Sequence, residues 1–411
     1  ILERSGLERT SLRVNFSNDI KEWLTIGTNF TVSYASENVA DDFGVNTNSP
    51  VAQAFFNEPD RPAFNDDGSI NNNVGFGFNA LEQTRLNSDK RNQIKLVGDV
   101  FANVRLFKNF TYNLTLGIDF RETERKRFFR PGTNLGDQQT NGQLLITNDR
   151  DATIRHTSNF NYKLNLDDTH KFSFLLGMDF ERFRDRNIDI DVQGFNFPDL
   201  DVPDGGTIYN LDEGQEDNST FVNYFFNVDY TLNDKYNFTG SVSYGADSNL
   251  NALNRFDWFY GLSASWNISR EDFLANSNWI DNLKLRASYA LTGNNQSASL
   301  YDSSNFLTLE QYNTQSALLS LFAINDPSIS WELVTDYNFG IDFQLFNRRL
   351  TGSVDYYNKE TSDLTFDEPV ASSTTITGGG GGTVTRNTDD YLIVNKGFEV
   401  DLSVDVLRGD N

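Results

Sequence analysis

The sequence predicts an all-β fold, an antiparallel transmembrane β-barrel wall of about 13 strands with short turns at one end and long loops at the other. Three observations predict it. Apolar and polar residues alternate with period two through one segment after another, and side chains on a strand point alternately to opposite faces. The chain is rich in rings (35 Phe, 16 Tyr and 5 Trp) yet has a negative mean hydropathy, as expected where alternation hides the apolar half. The connections between the segments alternate strictly between short and long.

The clearest pair of strands lies in 331–361. Tyr337, Phe339, Ile341, Phe343 and Leu345 share one parity, and Asn338, Gly340, Asp342 and Gln344 the other. After the turn Asn347-Arg348-Arg349 the pattern resumes, with Leu350, Gly352, Val354 and Tyr356 against Thr351, Ser353, Asp355 and Tyr357. These arms run for roughly fifteen residues, where a soluble strand runs for about five. The apolar face is therefore assigned to lipid.

The same template assigns strands, in order, to 8–18 (Leu12, Val14, Phe16), 23–35 (Leu24, Ile26, Phe30, Val32, Tyr34), 90–106 (Ile94, Leu96, Val100) and 108–125 (Phe110 to Phe120 on even numbers). It continues through 150–166 (Phe160, Tyr162), 170–187 (Phe172 to Phe180), 218–232 (Val222 to Tyr230) and 236–247 (Tyr236, Phe238, Val242, Tyr244). Strands at 255–268 (Trp258, Tyr260, Leu262, Trp266) and 282–292 (Leu283, Leu285, Tyr289) precede the opening pair, and 391–407 (Phe398, Val400, Leu402) follows it.

Short links lie at Asn18-Asp19, Phe107-Lys108-Asn109, Asp167-Asp168, Asn233-Asp234 and Asn347-Arg348-Arg349. The segment 269–281 reads as one helical turn capped by Ser269. The other links, 36–89, 126–149, 188–217, 293–330 and 364–390, are long and polar, with 248–254 the one brief member. An outer-membrane barrel has short periplasmic turns and long extracellular loops. Trp23, Phe107, Phe110, Tyr236, Phe238, Trp266, Trp279 and Phe346 cluster beside the short turns, as a periplasmic aromatic girdle would. Closed barrels of this class have an even strand number, so the chain is expected to be a piece of a larger one. No signal peptide is visible at Ile1, so an exported chain would have its true N-terminus outside this sequence.

A net charge of -24 argues against nucleic acid as a partner. The absence of cysteine excludes disulfides and thiolate chemistry. Apolar runs such as Phe174-Leu175-Leu176 fall far short of the roughly 20 residues a membrane helix needs. The histidines are His156, read near the outer end of a strand, and His170, at a short turn; they offer no pair for a metal or a general base, and no enzyme is predicted.

Three blocks carry a family resemblance: 7–35 (LERTSLRVNFSNDIKEWLTIGTNFTVSYA), 266–296 (WNISREDFLANSNWIDNLKLRASYALTGNNQ) and 325–366 (NDPSISWELVTDYNFGIDFQLFNRRLTGSVDYYNKETSDLTF). The run VNKGFEVDLSVDVLRGDN at 394–411 is similar to the strand that follows in the same family. Together they resemble the barrel of SusC/RagA-type TonB-dependent outer-membrane transporters. The resemblance implies a 22-stranded barrel in a Gram-negative outer membrane, holding an N-terminal plug that contacts the TonB complex. It also implies active import of oligosaccharides or peptides together with a SusD-like surface lipoprotein. Residues 1–411 would form part of that barrel, the plug and several C-terminal strands having no counterpart here. The glycine run Gly378–Gly382 departs from the family's more varied stretch.

Substrate contact is expected from the segment 293–330, where Asn294 and Asn295 bind hydroxyls and Tyr301 and Tyr312 stack on sugars. Arg182, Arg184 and Arg186 continue the outward parity of Phe172–Phe180 and are candidates for the phosphates of lipopolysaccharide, the alternative being a ladder paired across strands. The segment 188–217 holds nine acidic residues, Asp199, Asp201, Asp204, Asp212, Glu213, Glu216 and Asp217 among them, and no basic one. It reads as a solvated acidic rim with calcium as the alternative; no other cofactor is expected. Asn65-Asp66-Asp67-Gly68 reads as a plain turn. The alternatives to an active transporter are a passive porin or structural barrel without a plug, and a soluble β-rich carbohydrate-binding or hydrolytic domain.

Overall fold

The computed structural model describes residues 5–39, 49–71, 73–75, 79–138, 141–274, 277–295, 307–312, 315–321, 326–369 and 383–406. In chain order they form β1 (Gly6–Lys21), β2 (Leu24–Asn38), the short helices α1 (Pro50–Phe56) and α2 (Ala80–Arg85), β3 (Ser88–Phe107), β4 (Phe110–Phe129), α3 (Asn134–Gln138) and β5 (Gln143–Asn165). There follow β6 (His170–Gln193), β7 (Ile208–Leu232), β8 (Tyr236–Asp247), β9 (Phe256–Asn267) and β10 (Ile280–Asn294). The hairpin β11 (Leu307–Tyr312) and β12 (Gln315–Leu321) stands apart from the main sheet, which resumes with β13 (Glu332–Leu345) and β14 (Leu350–Ser362). A second separate hairpin, β15 (Leu364–Pro369) and β16 (Thr383–Thr388), precedes β17 (Ile393–Val404).

The main sheet has 13 strands in the order β1 to β10, β13, β14, β17. Every neighbouring pair is antiparallel. These are the expected strands, but several are longer at the loop end. The segment 188–217 is a loop only between Gln193 and Ile208, because β6 and β7 stay paired from Ile188↔Gly214 to Gln193↔Ile208. Likewise β5 starts at Gln143, which puts His156 in mid-strand on the outward face, its Nε2 3.0 Å from Ser158 Oγ. On β6 the outward apolar run is interrupted at Arg182, Arg184 and Arg186 and resumes at Ile188, Ile190 and Val192, while the hydrogen-bond ladder runs through. The two small hairpins and the helices also lie in segments expected to be loops.

The aromatic girdle is in place. Phe107 stacks on Phe110 at 6.2 Å, Tyr236 on Trp266 at 6.2 Å, and Trp279 packs on Phe346 at 6.3 Å. The turn Leu232–Lys235, closed by Lys235 N–H donating to Leu232 O at 2.9 Å, has Asn233 and Asp234 both at φ 53°, the left-handed backbone that suits the twist of a tight hairpin. At the β13–β14 turn, Phe346, Asn347 and Arg348 are all left-handed. The neighbouring turn holds them: Phe346 N–H donates to Trp279 O at 2.8 Å and Arg348 N–H to Asp281 Oδ2 at 2.8 Å. The helical turn expected at 269–281 is a 3-10 turn, Ile268–Arg270, with Ser269 inside it rather than capping it.

Buried apolar residues gather at the loop ends, in one cluster of Phe128, Leu144, Val192 and Phe195 and another of Leu250, Ile329 and Trp331. Along the wall, large outward residues such as Phe339 and Val400 remain exposed, lipid being their solvent. On the inward face, aromatic rings lie across glycines on the adjacent strand, as Phe101 does over Gly27 and Phe225 over Gly177. A Cβ at Gly177 would collide with the Phe225 ring. Gly177→Val is expected to cost roughly 1–3 kcal/mol through this overpacking, read as a lower urea midpoint in micelles. In the background of Phe225→Ala the cost should largely vanish; equal costs in both backgrounds would refute the contact.

Candidate functional site

The inward parity of the sheet is polar, and two features on it stand out. The first is a recess of about 240 Å³ across β7, β8, β9 and β10. Asn223 and Asn227, Ser241 and Ser243, and Thr292 supply amides and hydroxyls, while Phe225 and Phe259 supply ring faces. Gly261 and Ala290 leave the space open. Amide and hydroxyl groups beside aromatic faces suit hydroxyl- and amide-rich cargo, to which they offer hydrogen bonds and stacking. Below it the polar ladder continues, with Thr239 Oγ1 donating to Asp229 at 2.7 Å and Thr231 Oγ1 to Asn237 at 2.9 Å.

The second is a row of charges across β4 to β7, above the lipid-facing band. Register aligns Arg121, Asp151, Asp185 and Asp217 in one cross-strand row. Arg121 is ion-paired with Asp151. Like charges directly opposite repel. The hydrogen bond between Asp185 and Asp151, then burial and the charges of Asp151, Asp217 and Asp149, push the Asp185 carboxyl up to about 6. One row outward Asp149 accepts from Asn187 Nδ2 at 2.6 Å, and two rows inward Arg155 pairs with Glu181 at 2.6 Å.

The extracellular ends are stitched by buried polar side chains. Glu82, on α2, accepts from the first backbone amide of α3, Asn134 N–H, at 2.6 Å, so it ties the β2–β3 connection to the β4–β5 connection. Asn87 Oδ1 accepts from Arg130 N–H at 2.9 Å. Trp331 Nε1 donates to Arg255 O at 3.0 Å and its ring meets Phe259 edge-on at 5.3 Å. Glu332 accepts from Asn294 Nδ2 at 2.8 Å and from Thr365 N–H at 2.9 Å.

Asn294 is thus the last residue of β10 and is engaged in holding β13, while Asn295 follows it, partly exposed. Tyr301 lies outside the described residues, as does the Gly378–Gly382 run, and Tyr312 ends β11. Arg182, Arg184 and Arg186 do face outward and are exposed, between Phe180 and Ile188 on the same parity. Arg184 pairs with Glu216 at 2.7 Å. Acidic residues of the 188–217 segment find basic partners on neighbouring strands: Asp199 pairs with Arg130 at 2.9 Å and Asp201 with Lys126 at 3.0 Å. Among the described residues no group of three or more His, Asp or Glu converges on a metal position. His170 meets Tyr230 OH at 2.8 Å at the periplasmic end.

The Phe225–Phe259 recess was missed from sequence because it joins four strands through register. The available signal was an aromatic residue on the polar parity, as at Phe225 between Tyr224 and Phe226.

Over residues 7–409 the chain matches the family described as TonB dependent receptor-like, beta-barrel. TonB-dependent receptor P39 of Formosa agariphila is 26% identical over 418 residues, a match taking in 100% of this chain and 38% of that protein. TonB-dependent receptor SusC of Bacteroides thetaiotaomicron is 31% identical over 155 residues, which is 36% of this chain and 15% of SusC. The structure of the RagAB peptide importer in its "closed-closed" state superposes with a TM-score of 0.83 at 23% identity, over 98% of this chain and 45% of that one, and so shares the fold. This chain therefore spans about two fifths of the length of the full-length curated relatives it matches. The resemblance carried by the sequence blocks is borne out: the chain belongs to the TonB-dependent receptor β-barrel family of outer-membrane proteins.

Proposed function

We propose that this chain forms part of the wall of an outer-membrane importer that takes up oligosaccharides or peptides with energy delivered through TonB, beneath a SusD-like surface lipoprotein. Similarity to SusC and the fold shared with a peptide importer support that reading. The observation that carries it is the inward recess, whose amides, hydroxyls and two ring faces are suited to binding and hold no catalytic constellation. Its role is to hold cargo while a plug moves, and no bond of the cargo is made or broken. Asn295, Tyr301 and Tyr312 are proposed to add contacts to the cargo, while Asn294 helps to hold the β10–β13 pair through Glu332. A passive porin with the same wall is the competing reading.

In the full-length protein, Phe259→Ala combined with Asn223→Ala should weaken cargo binding about tenfold, the loss of one stacking face and one hydrogen bond. Uptake of fluorescent oligosaccharide and peptide libraries should stop when a protonophore collapses the inner-membrane gradient. Uptake that persists under the protonophore would identify a porin, and unaltered binding in the double variant would remove the recess from the pathway.

The row at Asp185 adds a pH dependence. Its folded-state value of about 6 exceeds the ordinary 3.8, so folding takes up a proton between the two. Its contribution is full below 3.8 and lost as pH rises through about 6. Going from pH 7 to pH 5 should therefore raise hydrogen-exchange protection, taken relative to the intrinsic rate at each pH, in 149–153, 183–187 and 215–219. Asp185→Asn should abolish the difference, and an unchanged profile in that variant would show that another group is responsible.

Arg182, Arg184 and Arg186 are proposed to hold lipopolysaccharide phosphate, since they stand outward just above the apolar band and guanidinium groups bind phosphate bidentately. Changing all three to Ser should loosen co-purifying lipopolysaccharide; equal retention would leave them as a cross-strand ladder only.

A further inference from the structure

The lipid-facing side of the wall is not evenly studded with large residues. Register places Phe238, Ala264, Ala287 and Phe339 in a single outward row across β8, β9, β10 and β13. The two alanines make a notch between two phenylalanines. On the extracellular side the next row is Gly240, Leu262, Tyr289 and Tyr337, and on the periplasmic side it is Tyr236, Trp266, Leu285 and Ile341.

Two recesses meet at the notch, sharing Phe238, Ala264, Ala287 and Phe339. One, of about 570 Å³, opens toward Tyr230 and Leu262, and the other, of about 610 Å³, opens toward Trp266 and Tyr356. Together they make a continuous apolar groove, three residue rows deep along the strands and reaching from β7 to β17 across them. A Cβ added at Gly240 would meet Val228 and Leu262 at 3.5 and 3.7 Å, so ordinary contact distances, not crowding, bound the groove there. A further outward recess, over Ala102 between Phe16 and Leu116, holds about 370 Å³.

The periplasmic foot of the groove is polar. Tyr236 OH and Trp266 Nε1 donate to Glu271 Oε1 at 2.7 and 3.0 Å, and Lys235 Nζ donates to Glu271 Oε2 at 2.9 Å. Arg270, next in the chain to Glu271, is exposed and donates one N–H to Asp234 O at 2.6 Å. It makes no ion pair within 4.0 Å among the described residues, so most of its donor fork faces solvent. An apolar groove ending at an aromatic ring pair and a basic side chain has the polarity sequence of a phospholipid, from acyl chain through glycerol level to phosphate.

We propose that this groove seats one acyl chain of a glycerophospholipid from the periplasmic leaflet, with the lipid phosphate held at Arg270. The occupant follows from the setting, since this face is the surface that the barrel presents to the bilayer. The Ala264–Ala287 notch makes a fixed seat out of a surface that lipid otherwise wets without preference.

The test uses the full-length protein in vesicles containing phosphatidylglycerol with a photoactivated diazirine at the end of one acyl chain. Labelled residues should concentrate in 258–266, 285–291 and 337–341. Ala264→Leu with Ala287→Leu fills the notch without adding polarity and should cut that labelling about fivefold. Arg270→Ser should cut it about threefold and remove any preference for phosphatidylglycerol over an uncharged diacylglycerol probe. Unchanged heat-modifiable gel mobility shows that each variant barrel is intact. Labelling spread evenly over the outward face, or unchanged in the alanine variant, would overturn the seat. So would protection of the face by a second copy of the barrel, seen as protein–protein crosslinks through the same residues.

Discussion

Hydrocarbon offers a peptide group no hydrogen-bond partner, and the rest of this structure follows from that fact. Each N–H and C=O in the bilayer must be satisfied by a neighbouring strand, so the 13 strands pair strictly in chain order with few register irregularities. Once the ladders are fixed, side-chain parity is fixed with them, and one residue of slip would expose the polar face to lipid. The left-handed turns at Asn233-Asp234 and Phe346–Arg348 serve the same end by setting register at the periplasmic side. The inward recess and the outward groove are both products of register, because each is assembled from residues that meet across strands.

Much of the wall was legible in the sequence because lipid imposes a pattern that a single strand displays by itself. Tyr337, Phe339 and Ile341 announce a lipid face without any knowledge of their partners. The pattern fails where its cause ends. Beyond Phe180 three arginines interrupt the outward apolar residues of β6, which resume at Ile188, Ile190 and Val192, and the ladder runs on to Gln193. Residues that matter through cross-strand meeting were illegible for a different reason: nothing local to Asp185 says that Asp151 and Asp217 stand on either side of it. The acidic character of 188–217 was visible, but its pairing with Lys126 and Arg130 depends on the β4 end folding alongside. The polar stitches Glu82, Asn87 and Glu332 are likewise tertiary facts, since a buried carboxylate becomes intelligible only with its amide donors named.

The two faces solve opposite problems with the same residue types. Outside, alanine and glycine interrupt a cover of rings and open a groove; inside, Gly261 and Ala290 open a recess between Phe225 and Phe259. Rings contribute on both sides, as interfacial anchors near the short turns and as stacking faces over the lumen. Charge, by contrast, is sorted by face. Outward it is kept beyond the apolar band, as at Arg182, Arg184 and Arg186, whereas inward it also stands at band height, where Arg286 pairs with Asp342 and Asp355.

Strand length varies around the wall, and this gives the rim a profile. The strands β5, β6 and β7 have 23, 24 and 25 residues, whereas β8 and β9 have 12 each. At about 3.3 Å per residue and a tilt near 40°, the long strands rise roughly 60 Å and the short ones roughly 30 Å, little more than the apolar band itself. Among the described strands the wall is thus a palisade on one side and a low sill on the other, where the brief Asp247–Phe256 connection joins β8 to β9. The Phe225–Phe259 recess sits just under the sill. Under the proposed function, cargo crossing that sill would meet the ring faces first, with the taller strands β5 to β7 behind them.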